Sequence, residues 1–293
     1  MDGSYRIASQ GIGAQVASRG AELTSLTDAS GAELLWQAGP QWPRHAPVLF
    51  PTVGALAGDR LRHAGAVHTL PKHGFARDAA FSLVEADETS VTLRLVDDEA
   101  TRAQYPFAFV LDLVYAVREG TLSCTTRVTN PGEGPLPCGV GAHPAFAWPL
   151  VSGVARTDHR ITFEKPETGQ VLAVVEGGLL GEGKAPPFEE RELPLDPALF
   201  ARDAIVMPDV ASRSVRYAAL SPEGAVIREI EVSWEGFKDL GIWSKPGEAP
   251  FVCIEPWYGM ASPQGWDGDF MDKPGILVLA PGETRAFVWR VRL

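Results

Sequence analysis

Residues Phe107–Gly132 read FAFVLDLVYAVREGTLSCTTRVTNPG. Phe109, Leu111, Leu113, Tyr115 and Val117 take every second position, the spacing that places side chains on one face of a strand. After Glu119-Gly120 the alternation resumes at Leu122, Cys124, Thr126 and Val128, with Ser123, Thr125 and Arg127 between them. The segment predicts a β-hairpin with one apolar face, ended by the turn residues Asn130-Pro131-Gly132.

The same period runs outward from this hairpin. SVTLRLV (Ser90–Val96) and IREIEVSW (Ile227–Trp234) alternate, and so does FVWRVRL, where Phe287, Trp289, Val291 and Leu293 would share a face. The 30 glycines and 24 prolines break the chain at short intervals, as antiparallel strands joined by turns require. Helical spacing is confined to DDEATRAQY (Asp97–Tyr105) and DPALFARD (Asp196–Asp203), each enough for a few turns. No repeat of fixed period and no low-complexity linker divides the chain. EGGLLGEGKAPPF (Glu176–Phe188) is the most loop-like stretch. The expected fold class is all-β, a single large antiparallel β-sandwich domain over residues 1–293 with a few short helical turns.

The 293 residues are 45% hydrophobic and 22% charged, ordinary for a globular protein, and the net charge is −11. That sign argues against a nucleic-acid partner, whose phosphates call for a basic face. No apolar run reaches the roughly 20 residues of a membrane helix. The N-terminal residues lack a basic segment followed by an apolar one, so no membrane partner and no export signal is expected. Three cysteines, Cys124, Cys138 and Cys253, form no CxxC pair. They read as buried thiols of a reducing, cytoplasmic compartment. Nothing specifies an oligomeric state.

Nucleophile-elbow, phosphate-loop, dinucleotide and HExxH motifs are missing from the sequence. What remains is His, Glu, Asp and Arg in Gly, Pro and aromatic settings. LPKHGFARD (Leu70–Asp78) sets His73 beside Gly74, which permits close backbone approach, and near Arg77, whose guanidinium suits hydroxyls or an anion. A single histidine is more often structural, and that reading stands beside the functional one. GAHPAF (Gly141–Phe146) holds His143 against a proline that stiffens the chain; a buried histidine capping a turn is an even alternative. FVCIEPWYG places Glu255 at the end of an apolar strand, where an unpaired carboxylate is costly. Trp257 and Tyr258 follow, and aromatic faces beside polar groups suit a sugar. Trp257 and Trp266 are candidate stacking platforms, with burial in the core as the plainer reading of each.

WPRHAPVLFPTVG (Trp42–Gly54), HGFARD, GAHPAF, LGIWSK and IEPWYGMAS, taken together and in this order, resemble the aldose 1-epimerase (galactose mutarotase-like) family, nearest its LacX-type branch. The likeness spans about Arg44 to Lys273. It implies a β-sandwich with a sugar site in a cleft on one curved sheet. It implies Glu255 as catalytic base, His143 as acid and His73 assisting. Arg44 and Arg77 would contact the sugar or an attached anion, Trp257 would line the site, and Asp203 would bind hydroxyls, with Asp209 as the neighbouring alternative. One departure is Gly54-Ala55, where relatives often have Gly-Arg; either Arg60 or Arg62 substitutes, or the pocket holds a differently charged sugar. Lys72 and these arginines could also serve a phosphate, with solvated charges at a strand end as the plainer reading.

Opening a hemiacetal needs a base on the C1 hydroxyl and an acid on the ring oxygen, and it needs no cofactor. A carboxylate beside His143 is expected to raise the histidine's pKa. The expected function is interconversion of aldose or aldose-phosphate anomers, with a non-catalytic sugar binder or sensor as the alternative. The expected partner is a small sugar or sugar phosphate. A metal triad of His73, His143 and Glu255 is disfavoured for want of an H-x-H strand pair, so no metal is expected.

Overall fold

The computed structural model describes residues 3–247 and 249–293. The hairpin forms as read: strands Val110–Arg118 and Thr121–Thr129 pair antiparallel from Arg118↔Thr121 to Val110↔Thr129. Glu119 and Gly120 both have positive φ, 48° and 70°, the conformation that joins twisted strands through a two-residue turn. Every alternating residue named above for this hairpin is buried.

The hairpin lies inside a nine-stranded sheet. On one side it pairs with Thr284–Arg292, then Val226–Glu235 and Ser214–Leu220; on the other it pairs with Ser90–Val96. Phe287, Trp289 and Val291 are buried as expected, but Leu293 falls beyond the strand and is 37% exposed.

A second sheet of eight strands has Phe251–Tyr258 near its middle, flanked by Asp239–Trp243 on one side. Val140–Ala142 and Ala145–Ala147 flank it on the other. Val252 and Ile254, with Leu240 and Ile242, face inward and share one core with Val232, Trp234, Phe287 and Trp289 of the first sheet. A three-stranded sheet, Ser4–Ser9, Ile12–Ala17 and Leu23–Asp28, adds Ile7, Val16 and Leu23 to the same core. Truncating a tryptophan as buried as Trp234 costs about 3–5 kcal/mol.

Both helical segments form. Glu99–Gln104 is an α-helix started by a capping box between Asp98 and Thr101. Pro197–Phe200 is a 3₁₀ turn capped by Asp196. The loop-like stretch after Glu176 is a correction: Leu179–Lys184 is a strand, pairing with Val171–Val175 at the edge of the eight-stranded sheet. Its glycines hide the alternation. It is held by Leu180 N–H donating to Ser262 O (2.9 Å) and Gln264 N–H donating to Leu180 O (2.7 Å). Among the described residues no helix is long and apolar enough to cross a membrane.

Candidate active site

Because successive side chains of Phe251–Tyr258 alternate, burying Val252 and Ile254 in the core turns Cys253, Glu255 and Trp257 to the opposite face. Register then builds the site. On one neighbouring strand Gly141 pairs with Trp257 and Ala145 pairs with Cys253. His143, midway between them, is thereby set opposite Glu255. On the other side Gly241 pairs with Glu255.

The result is a cavity of about 220 Å³ lined by Glu255, His143, His73, Trp257, Asp203 and Arg77, with Lys72 and Trp42 among the other residues of its wall. His143 Nε2 stands 3.1 Å from Glu255 Oε2. Oε2 itself has no hydrogen-bond partner among the described residues, so the contact is close without the alignment of a hydrogen bond. Glu255 is 1% exposed, His143 8% and His73 9%. Trp42 stacks on His143 with ring centroids 5.0 Å apart, and Trp243 meets its edge at 5.7 Å.

His73 arrives from the loop that carries HGFAR. Its N–H donates to Gly54 O (2.9 Å), and its Nδ1 accepts from Gly54 N–H (3.1 Å). An accepting Nδ1 fixes the neutral tautomer with the proton on Nε2. The next residue meets the expectation for a glycine there: a Cβ at Gly74 would come 2.2 Å from Phe50 O, and its φ is +70°. The HGFAR loop therefore docks directly on the FPTVG segment, and His73 meets His143 edge-on at 5.8 Å between centroids.

Burial dominates the electrostatics. It drives His73 well below the ordinary histidine value, helped by His143 and the cations Lys72 and Arg77. It lowers His143 to about 3, again with Lys72 and Arg77 acting in the same direction. The expectation that a nearby carboxylate would raise this histidine is therefore corrected, because burial of the imidazole outweighs the proximity of Glu255. Burial pushes the Glu255 carboxyl well up, Lys72 opposes, and the Asp203 charge adds to the rise. Both directions favour the uncharged pair, with one proton on Glu255 and none on the basic nitrogen of His143.

The remaining predicted residues separate by position. Asp203 lines the cavity, whereas Asp209 is turned to Lys238 at 3.2 Å and does not line it. Arg77 lines the cavity and donates to Lys72 O (2.7 Å). Arg44 is not in the wall; it pairs with Asp78 at 2.9 Å. Arg60 and Arg62 are turned to Asp267, at 3.7 and 2.8 Å, so neither fills the place beside Ala55. Lys72 is the cation that reaches the wall on that side. Trp266 is outside the cavity. Trp42, Trp243 and Met260 were not singled out from the sequence, although each lies in or next to a motif that was. Their signal was membership in those motifs. All three cysteines are free and buried. A triad of His73, His143 and Glu255 is not assembled. The compact donor set is instead His143, Cys253 and Glu255, whose ligand atoms lie within 4.8 Å of one another.

A sequence profile of the family described as aldose 1-epimerase matches residues 3–265. The chain belongs to the aldose 1-epimerase family. It is 33% identical to protein LacX of Lactococcus lactis subsp. lactis over 278 residues, covering 90% of this chain and 91% of that one. A galactose mutarotase related enzyme from Lactobacillus acidophilus superposes with TM-score 0.89 at 30% identity, over 100% of this chain and 97% of the other. A galactose mutarotase-like protein from Lactobacillus casei superposes with TM-score 0.90 at 29% identity, over 99% of each chain. These likenesses bear out the all-β galactose mutarotase-like sandwich, and the family acts on sugars.

Proposed function

We propose that the protein is an aldose 1-epimerase that interconverts the α and β anomers of a monosaccharide or its phosphate. The observation that carries this is the buried Glu255–His143 pair, 3.1 Å apart on a cavity wall with Oε2 unpartnered. The cavity, about 220 Å³, is smaller than the roughly 300–1,000 Å³ of drug-sized ligand sites, which suits one sugar ring. Trp257 offers it an apolar face, and Asp203 and Arg77 offer an acceptor and donors for its hydroxyls.

In this reading Glu255 removes the C1 hydroxyl proton while His143 protonates the ring oxygen. The carbonyl end rotates, and the ring closes with the two roles exchanged. Only one proton is shared by the pair throughout. Before ring opening it resides on His143 as an ion pair; afterwards it resides on Glu255, and both groups are neutral. A dry wall penalises the ion pair, so burial favours the transfer that opens the ring. Sugar hydroxyls bonded to both groups make the charged state accessible when the substrate is bound. Neutral His73, donating from Nε2, would assist by hydrogen bonding. Each proton-transfer partner is worth about 10²–10⁴-fold.

The test is anomer exchange followed by NMR on a panel of free aldoses and hexose 6-phosphates, with Glu255→Gln beside the wild type. Exchange that vanishes in the variant supports the reading. Sugar binding without any exchange would instead mark a non-catalytic sugar binder.

A further inference from the structure

Cys253 has no place in the reaction above, yet it stands two residues before Glu255 on the same strand face. Its thiol is fully buried beside Ala145, Ala249 and Phe251, with Trp36, Trp42 and Trp243 packed over that cluster. Its Sγ, a ring nitrogen of His143 and a carboxylate oxygen of Glu255 converge within 4.8 Å. Two further observations point to a ligand. Glu255 Oε2 and His143 Nδ1 are both buried without a hydrogen-bond partner among the described residues. No lysine or arginine pairs with Glu255 among the described ion pairs; its one charged-group contact there is His143.

We infer that this cluster is an inhibitory site for a thiophilic divalent cation, with Zn²⁺ as the reference ion. Sulfur, imidazole nitrogen and carboxylate oxygen are a donor set zinc accepts. Around a tetrahedral zinc these atoms sit about 3.3–3.6 Å apart, given bonds of about 2.0–2.3 Å. Side-chain shifts of about 1 Å bring the present cluster to that spacing. Charge balance also favours the ion. A thiolate, a carboxylate and a neutral imidazole match the two charges of Zn²⁺. A site that disfavours separate charges thereby receives a neutral complex. Two of the three ligands, His143 and Glu255, line the cavity, so an ion held here would take both away from a sugar. Hard oxygen-seeking ions such as Mg²⁺ lack this advantage, because they gain little from sulfur.

Inhibition rests on the proposed roles of Glu255 and His143, since the ion occupies both; binding does not. The experiment therefore reads the two separately. Zn²⁺ binding to the full chain is measured by titration calorimetry for wild type, Cys253→Ala and Glu255→Gln, with Mg²⁺ as control. Anomer exchange is measured in the same samples with and without a chelator. The expected result is one Zn²⁺ per chain in the wild type. Affinity should fall by about 100-fold or more in Cys253→Ala, as a thiolate ligand is lost. Zinc should stop exchange in the wild type, the chelator should restore it, and Cys253→Ala should stay active and resist zinc. Equal Zn²⁺ affinity in wild type and Cys253→Ala overturns the site. Should Cys253→Ala not fold, Co²⁺ added to the wild type decides: a thiolate-to-cobalt charge-transfer band supports the site, and its absence overturns it. Zinc binding that depends on Cys253 in a protein with no exchange activity would uphold the metal site and sink the epimerase reading alone.

Discussion

The indole of Trp257 lies across the backbone of Gly241: a Cβ added at that glycine would come 2.3 Å from Trp257 Cη2 and 2.4 Å from Cζ2. Gly141, on the opposite neighbouring strand, leaves the same ring room at its Cδ1 edge, 2.7 Å from an added Cβ. The two glycines belong to LGIWSK and GAHPAF, so two separate motifs shape the bed of a third. The strand positions are ordinary; the small residues are there for the ring.

Gly241→Ala is therefore expected to displace the Trp257 indole into the cavity. Overpacking of this kind costs about 1–3 kcal/mol of stability, and a displacement of ~1 Å beside a reacting group can cost about 100-fold in rate. Thermal unfolding and NMR exchange on the same preparation check it. A variant with wild-type exchange would mean that the ring has no part in holding the sugar.

How much of this was legible beforehand follows from what each signal depends on. The hairpin at Val110–Thr129 could be read because alternation and its turn are local. Leu179–Lys184 could not, since Gly181 and Gly183 erase the alternation and the strand is held by distant Ser262 and Gln264. His73, His143 and Glu255 were identifiable as candidates, but their meeting is a matter of register between remote strands. Of the cations the sequence offers, only some reach the cavity wall. Arg44 was expected and stands aside with Asp78, while Lys72 takes a place in the wall. Side-chain direction of a long cation is set by its acidic neighbours in space, which a sequence does not display. The depressed pKa of His143 was missed for the same reason: burial of both partners outweighs their proximity.

His73 combines a left-handed backbone, φ 68°, with the Nδ1 contact to Gly54 N–H. His73→Ala leaves that buried donor unpaired, at a cost of about 1–3 kcal/mol, and strains the backbone. His73→Asn places Oδ1 where Nδ1 was and tolerates positive φ. The asparagine variant should regain most of the stability lost by alanine while exchange stays reduced in both. Denaturant midpoints set beside exchange rates make the comparison. If asparagine restores exchange as well, the imidazole Nε2–H is dispensable.

Glu255→Gln should raise the melting temperature, and more at pH 7 than at pH 4.5. The folded carboxyl has a pKa raised by burial. Above the unfolded value of about 4.3–4.5 the native state holds a proton that the unfolded chain has released. Stability contributed by this group is therefore full below the unfolded pKa and lost as pH rises toward the folded one. Glutamine does not titrate, so the gap between variant and wild type should widen with pH across that window. Calorimetric scans at the two pH values test it, and a gap that narrows as pH rises would show Glu255 ionised in the folded protein.

The pH dependence of exchange separates this site from one built on an ordinary histidine. kcat/KM reports groups of the free enzyme, and there His143 is lowered to about 3 against an ordinary value of about 6.5. Protonating His143 adds a second proton to a pair that works with one, so it removes activity only near the lowered value. Lowering pH from 7 to 5 should leave kcat/KM nearly level, whereas an unperturbed histidine would impose a loss of more than tenfold per 1.5 pH units below its pKa. The alkaline limb belongs to the loss of the single shared proton, and the raised Glu255 pKa moves it above the usual carboxylate range. Exchange rates measured by NMR from pH 5 to 9 on one sugar decide the matter. An acid limb centred near 6.5 would mean that His143 meets far more water than its position behind Trp42 and Trp243 allows.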